Sequence, residues 1–272
     1  MQHPAAKAPL TILHTNDFHN RLTDAMKSLL RRLVADAPGQ TLLIDAGDAG
    51  GSTNITFRPA GEPILDEMSH LGYAAMTVGN RDFHVSRPGF AAKLSRARFP
   101  VLCANIRPSG TPDAGAQSVD ELPLAASRGR EPHIRRYIVR DAGGWRVLVF
   151  GLTVPMVTPR MWERKLSAYV FDPPLSTAAR LVPELHRRFD PDITIALTHI
   201  GLRLDRELAG QGLGIDLIAG GHSHELLPQG ETIGGTLVVQ AGSHGHYAGV
   251  VTVAPAGAAG ARPLLTARVE AA

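Results

Sequence analysis

One cysteine in 272 residues, Cys103, excludes an intrachain disulfide and gives no support for an oxidising compartment. It lies in the apolar run Pro100–Ala104 and reads as a small core residue. No stretch is apolar for the length that a bilayer-crossing helix needs, so no membrane partner is expected. Residues 1–9 hold one lysine and no apolar segment, so no secretory leader is read there and a cytoplasmic location is expected. Dense basic runs are missing too. Lys plus Arg number 28 against 25 Asp plus Glu, for a net charge of +3, so no nucleic-acid polymer is expected as a partner. Arg31-Arg32 and Arg135-Arg136 read as solvated faces. There are no internal repeats and no linker. With 44% hydrophobic residues the chain can fill a substantial core, and 1–272 reads as a single domain.

Short apolar runs at Leu10–Leu13, Thr41–Ile44, Ala74–Val78, Val101–Ala104, Ile193–Leu197 and Ile215–Ala219 read as strands. Helical spacing covers Leu22–Val34, which Pro38-Gly39 stops, and Glu62–Leu71. Ser86 caps a helix expected to run through Arg98, and Pro63 and Pro88 sit in the first turns of these two. Leu175–Phe189 is helical in pattern, with Pro183 expected to kink or divide it, and Leu202–Ala209 follows. Ile134–Arg140 and Trp145–Gly151, around Asp141-Ala-Gly-Gly144, read as a β-hairpin. Residues 108–132, rich in Gly, Pro, Ser and Ala, read as a surface excursion. Leu237–Gln240, Tyr247–Val253 and Leu264–Val269 are expected to close the chain as antiparallel strands. The class is α/β.

The twelve histidines are unevenly placed. After the apolar run Ile215–Ala219 come two glycines and then His222 and His224, one residue apart. Such a pair can aim both imidazoles at one locus, and histidine is the commonest transition-metal ligand. Four other runs end the same way. Asp17 and His19 follow the first strand, Asp48 the second, Asn80 the third, and His199 the strand Ile193–Leu197. Singly these residues have ordinary readings, as helix caps, turn residues or satisfied loop histidines. Together they stand at five strand ends, where open α/β sheets bind ligands. Two carboxylates, an amide oxygen and four imidazoles exceed the need of one zinc-like ion and suit two.

Asn16-Asp-Phe-His19, Gly47-Asp48, Gly79-Asn80, Thr198-His199 and Gly220-Gly-His-Ser-His224 occur in the order found in the calcineurin-like metallophosphoesterases. The sequence most closely resembles the catalytic domain of their 5′-nucleotidase / UDP-sugar hydrolase / 2′,3′-cyclic phosphodiesterase branch. Leu13-His-Thr-Asn16, Pro100-Val-Leu-Cys-Ala-Asn-Ile106 and Val239-Gln-Ala-Gly-Ser243 add to the likeness, which runs over nearly the whole chain. The resemblance implies a four-layer αββα sandwich and two divalent metal ions, Mn²⁺, Zn²⁺ or Fe²⁺. It implies that Asp17, His19, Asp48 and His224 hold the first ion. Asp48, Asn80, His199 and His222 would hold the second, with Asp48 bridging. The implied activity is hydrolysis of phosphate mono- or diesters, nucleotides among them, by in-line attack of a bridging hydroxide.

Two departures stand out. The resemblance implies Gly-Asn-His at the third motif, with the histidine touching phosphoryl oxygens and assisting the leaving group. Here the motif is Gly79-Asn-Arg-Asp-Phe-His84. Arg81 retains the contact to phosphate, because a guanidinium fork suits its oxygens, but it is no general acid. Arg81 is therefore expected to clamp the phosphoryl group, and His84 either supplies the proton from a shifted position or packs beside the site. Relatives acting on nucleotides also carry a further C-terminal domain that stacks the base, so their nucleotide specificity is not carried over. His244 and His246 read as solvated loop residues. The rivals are a metal-binding module impaired by the Arg81 change, a hydrolase of sulfur esters, and a serine hydrolase. Ser223 and Ser243 fail to complete Gly-x-Ser-x-Gly, which weighs against the last.

Overall fold

Alternation along the strand Leu10–Thr15 sets the layers. Leu10 and Ile12 point to one side and join an apolar layer with Leu42, Ile44, Val147, Val149, Ile193, Ile195 and Leu217. Leu13 points to the other side and packs with Leu43, Met76 and residues of three helices. In the computed structural model, which describes residues 7–111, 120–124, 133–255 and 262–272, this divides the chain into two stacked sheets. Helices Asp24–Asp36, Pro63–His70 and Arg87–Leu94 cover the outer face of the first sheet. Helices Pro174–Phe189 and Leu202–Gly210 cover the outer face of the second. The four layers are helix, sheet, sheet, helix, the αββα sandwich that the resemblance implied.

The first sheet has eight strands, in the order Leu264–Ala271, Tyr247–Ala254, Leu10–Thr15, Gln40–Asp45, Ala75–Thr77, Val101–Leu102, His133–Arg135 and Glu121–Pro123. From Leu10–Thr15 to His133–Arg135 the neighbours run parallel, and the outer strands run antiparallel. The second has six: Glu231–Ile233, Thr236–Val239, Leu217–Ala219, Ile193–His199, Trp145–Thr153 and Tyr137–Ala142. Its four central strands are parallel. Ile106–Pro108 and Tyr169–Phe171 form a separate two-stranded ladder. Among the described residues, no helix is long and apolar enough to cross a membrane.

Several expectations need correcting. The run Ile134–Arg140 is not one hairpin arm. Its start pairs in the first sheet and Tyr137–Ala142 pairs with Trp145–Thr153 in the second, so the chain changes sheets at Arg136. Thr236–Val239 does not close the chain as an antiparallel strand with Tyr247–Ala254. It runs parallel beside Leu217–Ala219, after turning back from Glu231–Ile233 through Gly234 and Gly235. Pro183 does not divide its helix. Pro183 is exposed while Leu181, Val182 and Leu185 are buried, and that packed stripe carries the helix through. The helix from Arg87 ends at Leu94 rather than Arg98, in tighter turns closed by Ser95 N–H on the Ala92 carbonyl and Ala97 N–H on that of Leu94. Of the surface excursion at 108–132, residues 112–119 and 125–132 lie outside the described residues. Its described part includes an edge strand, Glu121–Pro123, and the buried Leu124.

Candidate metal centre

Parallel strands in both sheets end at one edge, and seven side chains meet there. Asp17 and His19 leave Leu10–Thr15, with Phe18 between them buried in the core as an anchor. Asp48 follows Gln40–Asp45, and Asn80 follows Ala75–Thr77. His199 closes Ile193–His199, and His222 and His224 follow Leu217–Ala219. The floor is buried: Asp17 and His199 are 0% exposed and Asp48 3%. The roof, His222 and His224, faces solvent. Asp17, His19, Asp48, His222 and His224 all adopt positive φ, between 47° and 79°, a backbone region that non-glycine residues seldom occupy. Such strain concentrates where the surrounding structure holds a functional geometry.

Two groups are resolved within the cluster. His19 Nε2 lies 3.1 Å from His224 Nε2, and Asp17 Oδ1 is 3.3 Å from the latter and 3.8 Å from the former. On the other side, Asn80 Oδ1 is 2.9 Å from His222 Nδ1 and 3.2 Å from His199 Nε2. Asp48 reaches both groups: Oδ1 lies 3.5 Å from His199 Nε2, and Oδ2 lies 3.9 Å from His19 Nδ1. His199 donates through Nδ1 to the Ala46 carbonyl at 2.8 Å, which makes Nε2, on the side of the cluster, the nitrogen a metal would take. Asp17 Oδ2 accepts from His222 N–H at 2.9 Å and from the Asn16 amide at 2.8 Å. Its Oδ1 is buried without a hydrogen-bond donor, within 3.3 and 3.8 Å of two imidazole nitrogens. A buried carboxylate oxygen without a hydrogen-bond donor, beside two imidazole nitrogens, is costly as it stands and is suited to a cation. The donor set of carboxylate, amide oxygen and imidazole fits a divalent metal.

The electrostatics agree. Burial works against charge on His199, but Asp48 and Asp17 beside it outweigh that and raise its pKa to about 9. Burial, with neighbouring His199, lowers His222, and burial lowers His19 despite its carboxylate neighbours. The two carboxylates thus favour positive charge on His199 in the floor, while burial disfavours it on His19 and His222.

Beneath the cluster lies a set of polar residues to which the sequence gave no role, although Asn16, Asp82 and Gln240 stand within the quoted motifs. Buried Asp82 accepts from the backbone N–H groups of Asp48 (2.8 Å), Gly79 (2.9 Å) and Gly50 (3.1 Å), tying two ligand loops together. Burial, then the Asp48 charge, lifts its pKa to about 6. Asp205, lifted to about 7 by burial, accepts from Thr198 Oγ1 at 2.6 Å and Gln240 Nε2 at 3.3 Å. Gln240 also accepts from Ser223 Oγ and Glu225 N–H, and so braces the His222–His224 turn. Asn16 crosses to Gly242 and Ala241, in the loop that follows Thr236–Val239. Lys93 is 1% exposed, and its ammonium donates to the carbonyls of Thr53, Arg81 and Phe83.

Arg81 N–H donates to Asp48 Oδ1 at 2.6 Å, and its side chain is exposed at the edge of the cluster. His84 is not among the gathered residues. Its Nδ1 accepts from Ser86 N–H at 3.0 Å, its ring lies edge-on to Phe57, and Gly89 packs against its face. His244, expected to be solvated, is half-buried, with its ring 5.2 Å from that of His19 and 5.7 Å from that of His224. His246 stands exposed beyond it.

Comparison with known proteins gives the family and the fold. The model of one family, calcineurin-like phosphoesterase, matches residues 10–226. The Trifunctional nucleotide phosphoesterase protein YfkN of Bacillus subtilis is 33% identical over 264 residues, covering 90% of this chain and 18% of that protein. A 5′-nucleotidase of Vibrio cholerae is 30% identical over 243 residues, covering 79% of this chain and 40% of that one. The chain therefore spans less than half the length of these relatives. Among solved structures, a 5′-nucleotidase precursor from Thermus thermophilus superimposes with a TM-score of 0.71 at 26% identity, covering 97% of this chain and 54% of its own.

Proposed function

The chain belongs to the calcineurin-like phosphoesterase family, and from that premise we propose that it hydrolyses phosphate mono- or diesters with two divalent ions at this cluster. The observation that carries the proposal is the unpartnered Asp17 Oδ1 beside the Nε2 atoms of His19 and His224, with Asp48 facing both His19 and His199. Asp17, His19, Asp48 and His224 hold one ion, and Asp48, Asn80, His199 and His222 the other. Mixed nitrogen and oxygen donors accommodate Mn²⁺, Zn²⁺ or Fe²⁺. When bound, the ions supply charge neutralisation at phosphoryl oxygens and an acidified water as nucleophile. The chain's own residues position and balance. Asp82 and the Ala46 carbonyl fix the ligands, and Asn80 and Arg81 orient the phosphoryl oxygens. Nucleotides enter as candidate substrates through the names of the relatives.

The direct test is hydrolysis of p-nitrophenyl phosphate and bis(p-nitrophenyl) phosphate by chelator-stripped protein re-supplied with Mn²⁺ or Zn²⁺. Turnover that returns with metal supports the reading. Two bound ions with no turnover on either ester would leave a binding module in its place.

Arg81 and His84 separate by substitution. Arg81→Ala removes a charge-assisted contact to the phosphoryl group and is expected to lower kcat/KM about 10- to 100-fold. His84, engaged with Ser86 and Phe57, is assigned to packing, so His84→Ala should change the alkyl-to-aryl phosphate rate ratio less than about twofold, against the 10²–10⁴ that losing a general acid costs. A selective collapse of alkyl phosphate hydrolysis in His84→Ala would restore it as the proton donor.

The His199 value predicts a pH dependence. Its folded pKa, about 9, exceeds the usual 6.5. Protonation of His199 therefore stabilises the metal-free fold fully below pH 6.5, and that contribution is lost as pH rises through 9. A metal needs the same nitrogen unprotonated. Between pH 6.5 and 9 the Tm of Mn²⁺-loaded protein should pull away from that of chelator-stripped protein. A constant difference across this window would contradict the assignment.

A further inference from the structure

Seven large hydrophobic side chains are exposed among the described residues, and five of them come from two loops: Ile55 (75%) and Phe57 (39%), then Met161, Trp162 (66%) and Leu166 (70%). Both loops are fastened to the segment that carries Arg81. The Lys93 ammonium holds the carbonyls of Thr53, Arg81 and Phe83 together, and the Phe57 ring meets His84 at 5.0 Å. On either side of Val85, its N–H donates to the Asn54 carbonyl at 3.1 Å and its carbonyl accepts from Ala168 N–H at 2.8 Å. Ala168 lies two residues beyond Leu166 and just past the short helix Trp162–Lys165. Apolar side chains from two sequence-distant loops thus stand on one scaffold with the residue proposed to grip the phosphoryl group.

We propose that Ile55, Phe57, Trp162 and Leu166 form a wall that binds a flat aromatic group in the alcohol portion of the substrate. This rests on the phosphoesterase reading. A phosphoryl group fixed at Arg81 and Asn80 leaves its ester substituent to extend along this segment. Trp and Phe faces bind flat π-systems, a contact worth about tenfold or more in affinity per ring. Burying a ring on Ile55 and Leu166 adds apolar contact. The preferred esters therefore carry an aryl or heteroaromatic ring near the phosphate, and simple alkyl phosphates are poorer ligands.

Two probes that cannot be hydrolysed, phenylphosphonate and methylphosphonate, test this by calorimetry on Mn²⁺-loaded protein. Wild type is expected to bind the phenyl compound about tenfold more tightly. In Phe57→Ala/Trp162→Ala that preference should fall to about twofold or less, with methylphosphonate affinity and metal content unchanged. Equal affinity for the two probes in wild type, including none for either, overturns the wall. So does a preference that survives the double substitution. If wild type self-associates and the double variant is monomeric with its preference intact, the patch is a contact between copies and the proposal fails. Turnover of p-nitrophenyl phosphate, followed in parallel, reports on the esterase reading alone. Normal turnover with equal probe affinities would sink the wall and spare the enzyme.

Discussion

Asp48→Asn is expected to lower metal-dependent turnover of p-nitrophenyl phosphate by about 10³-fold or more, with the fold intact. Substitutions one step away from a metal cost about 10- to 100-fold, and Asp48 faces both ion positions. The change removes a negative charge from a floor that already places one carboxylate oxygen against two imidazoles. It also replaces an acceptor-only group with one that can turn an N–H₂ toward the ions. Folding should survive because the amide oxygen of asparagine can still accept from Arg81 N–H, and the remaining features holding this residue are backbone ones. Its N–H donates to Asp82, and its φ of 56° lies in a region that asparagine tolerates as well as aspartate does. The measurements are kcat and bound metal per chain. Turnover within tenfold of wild type at full metal occupancy would remove Asp48 from the centre of the mechanism.

The ligand set could be read from the sequence because each member follows a recognisable local signal, an apolar run that ends in a glycine or polar turn. Strand ends and turns are local events, and parallel topology then sends them to one edge. What holds the ligands has no such signal. Asp82 reads as another acid in a loop, and its three backbone donors come from Asp48, Gly50 and its own turn at Gly79, 34 and 32 residues away in the first two bonds. Lys93 reads as the polar face of a helix but is enclosed, because the loops it ties fold over it. Gln240 and Asp205 meet from a strand end and a helix 35 residues apart. The change of sheets at Arg136 was hidden for the opposite reason. Buried apolar residues, Ile134 and Ile138, stand on both sides of it, and periodicity reports burial without saying in which sheet. Parallel pairing of Thr236–Val239 likewise follows from its neighbour Leu217–Ala219 and not from its own composition.

Gly79→Ala is the second large effect, and its cause is space alone. A Cβ there would sit 2.2 Å from both Asp48 N and Asp48 Oδ1 and 2.9 Å from Asp48 Cα. Neither loop can yield, because Asp48 N–H and Gly79 N–H are held by the same Asp82 oxygen. The backbones are close elsewhere too, since a Cβ on Gly47 would meet Gly79 N at 2.7 Å. A methyl group at Gly79 therefore either breaks the Asp82 bridge, leaving buried donors unpaired, or swings the Asp48 carboxylate off the ions. Overpacking costs about 1–3 kcal/mol, and an unpaired buried donor costs about 1–3 kcal/mol more. Gly72→Ala is the matched control. Its φ is +82° with nothing within 4 Å of where the methyl group would stand, so it carries backbone strain without a clash and should cost about 1 kcal/mol. Urea unfolding and metal occupancy should therefore rank wild type above Gly72→Ala, and Gly72→Ala well above Gly79→Ala, with metal lost only in the last. If Gly79→Ala kept both its stability and its two ions, the contact between the second and third ligand loops could not be what fixes Asp48.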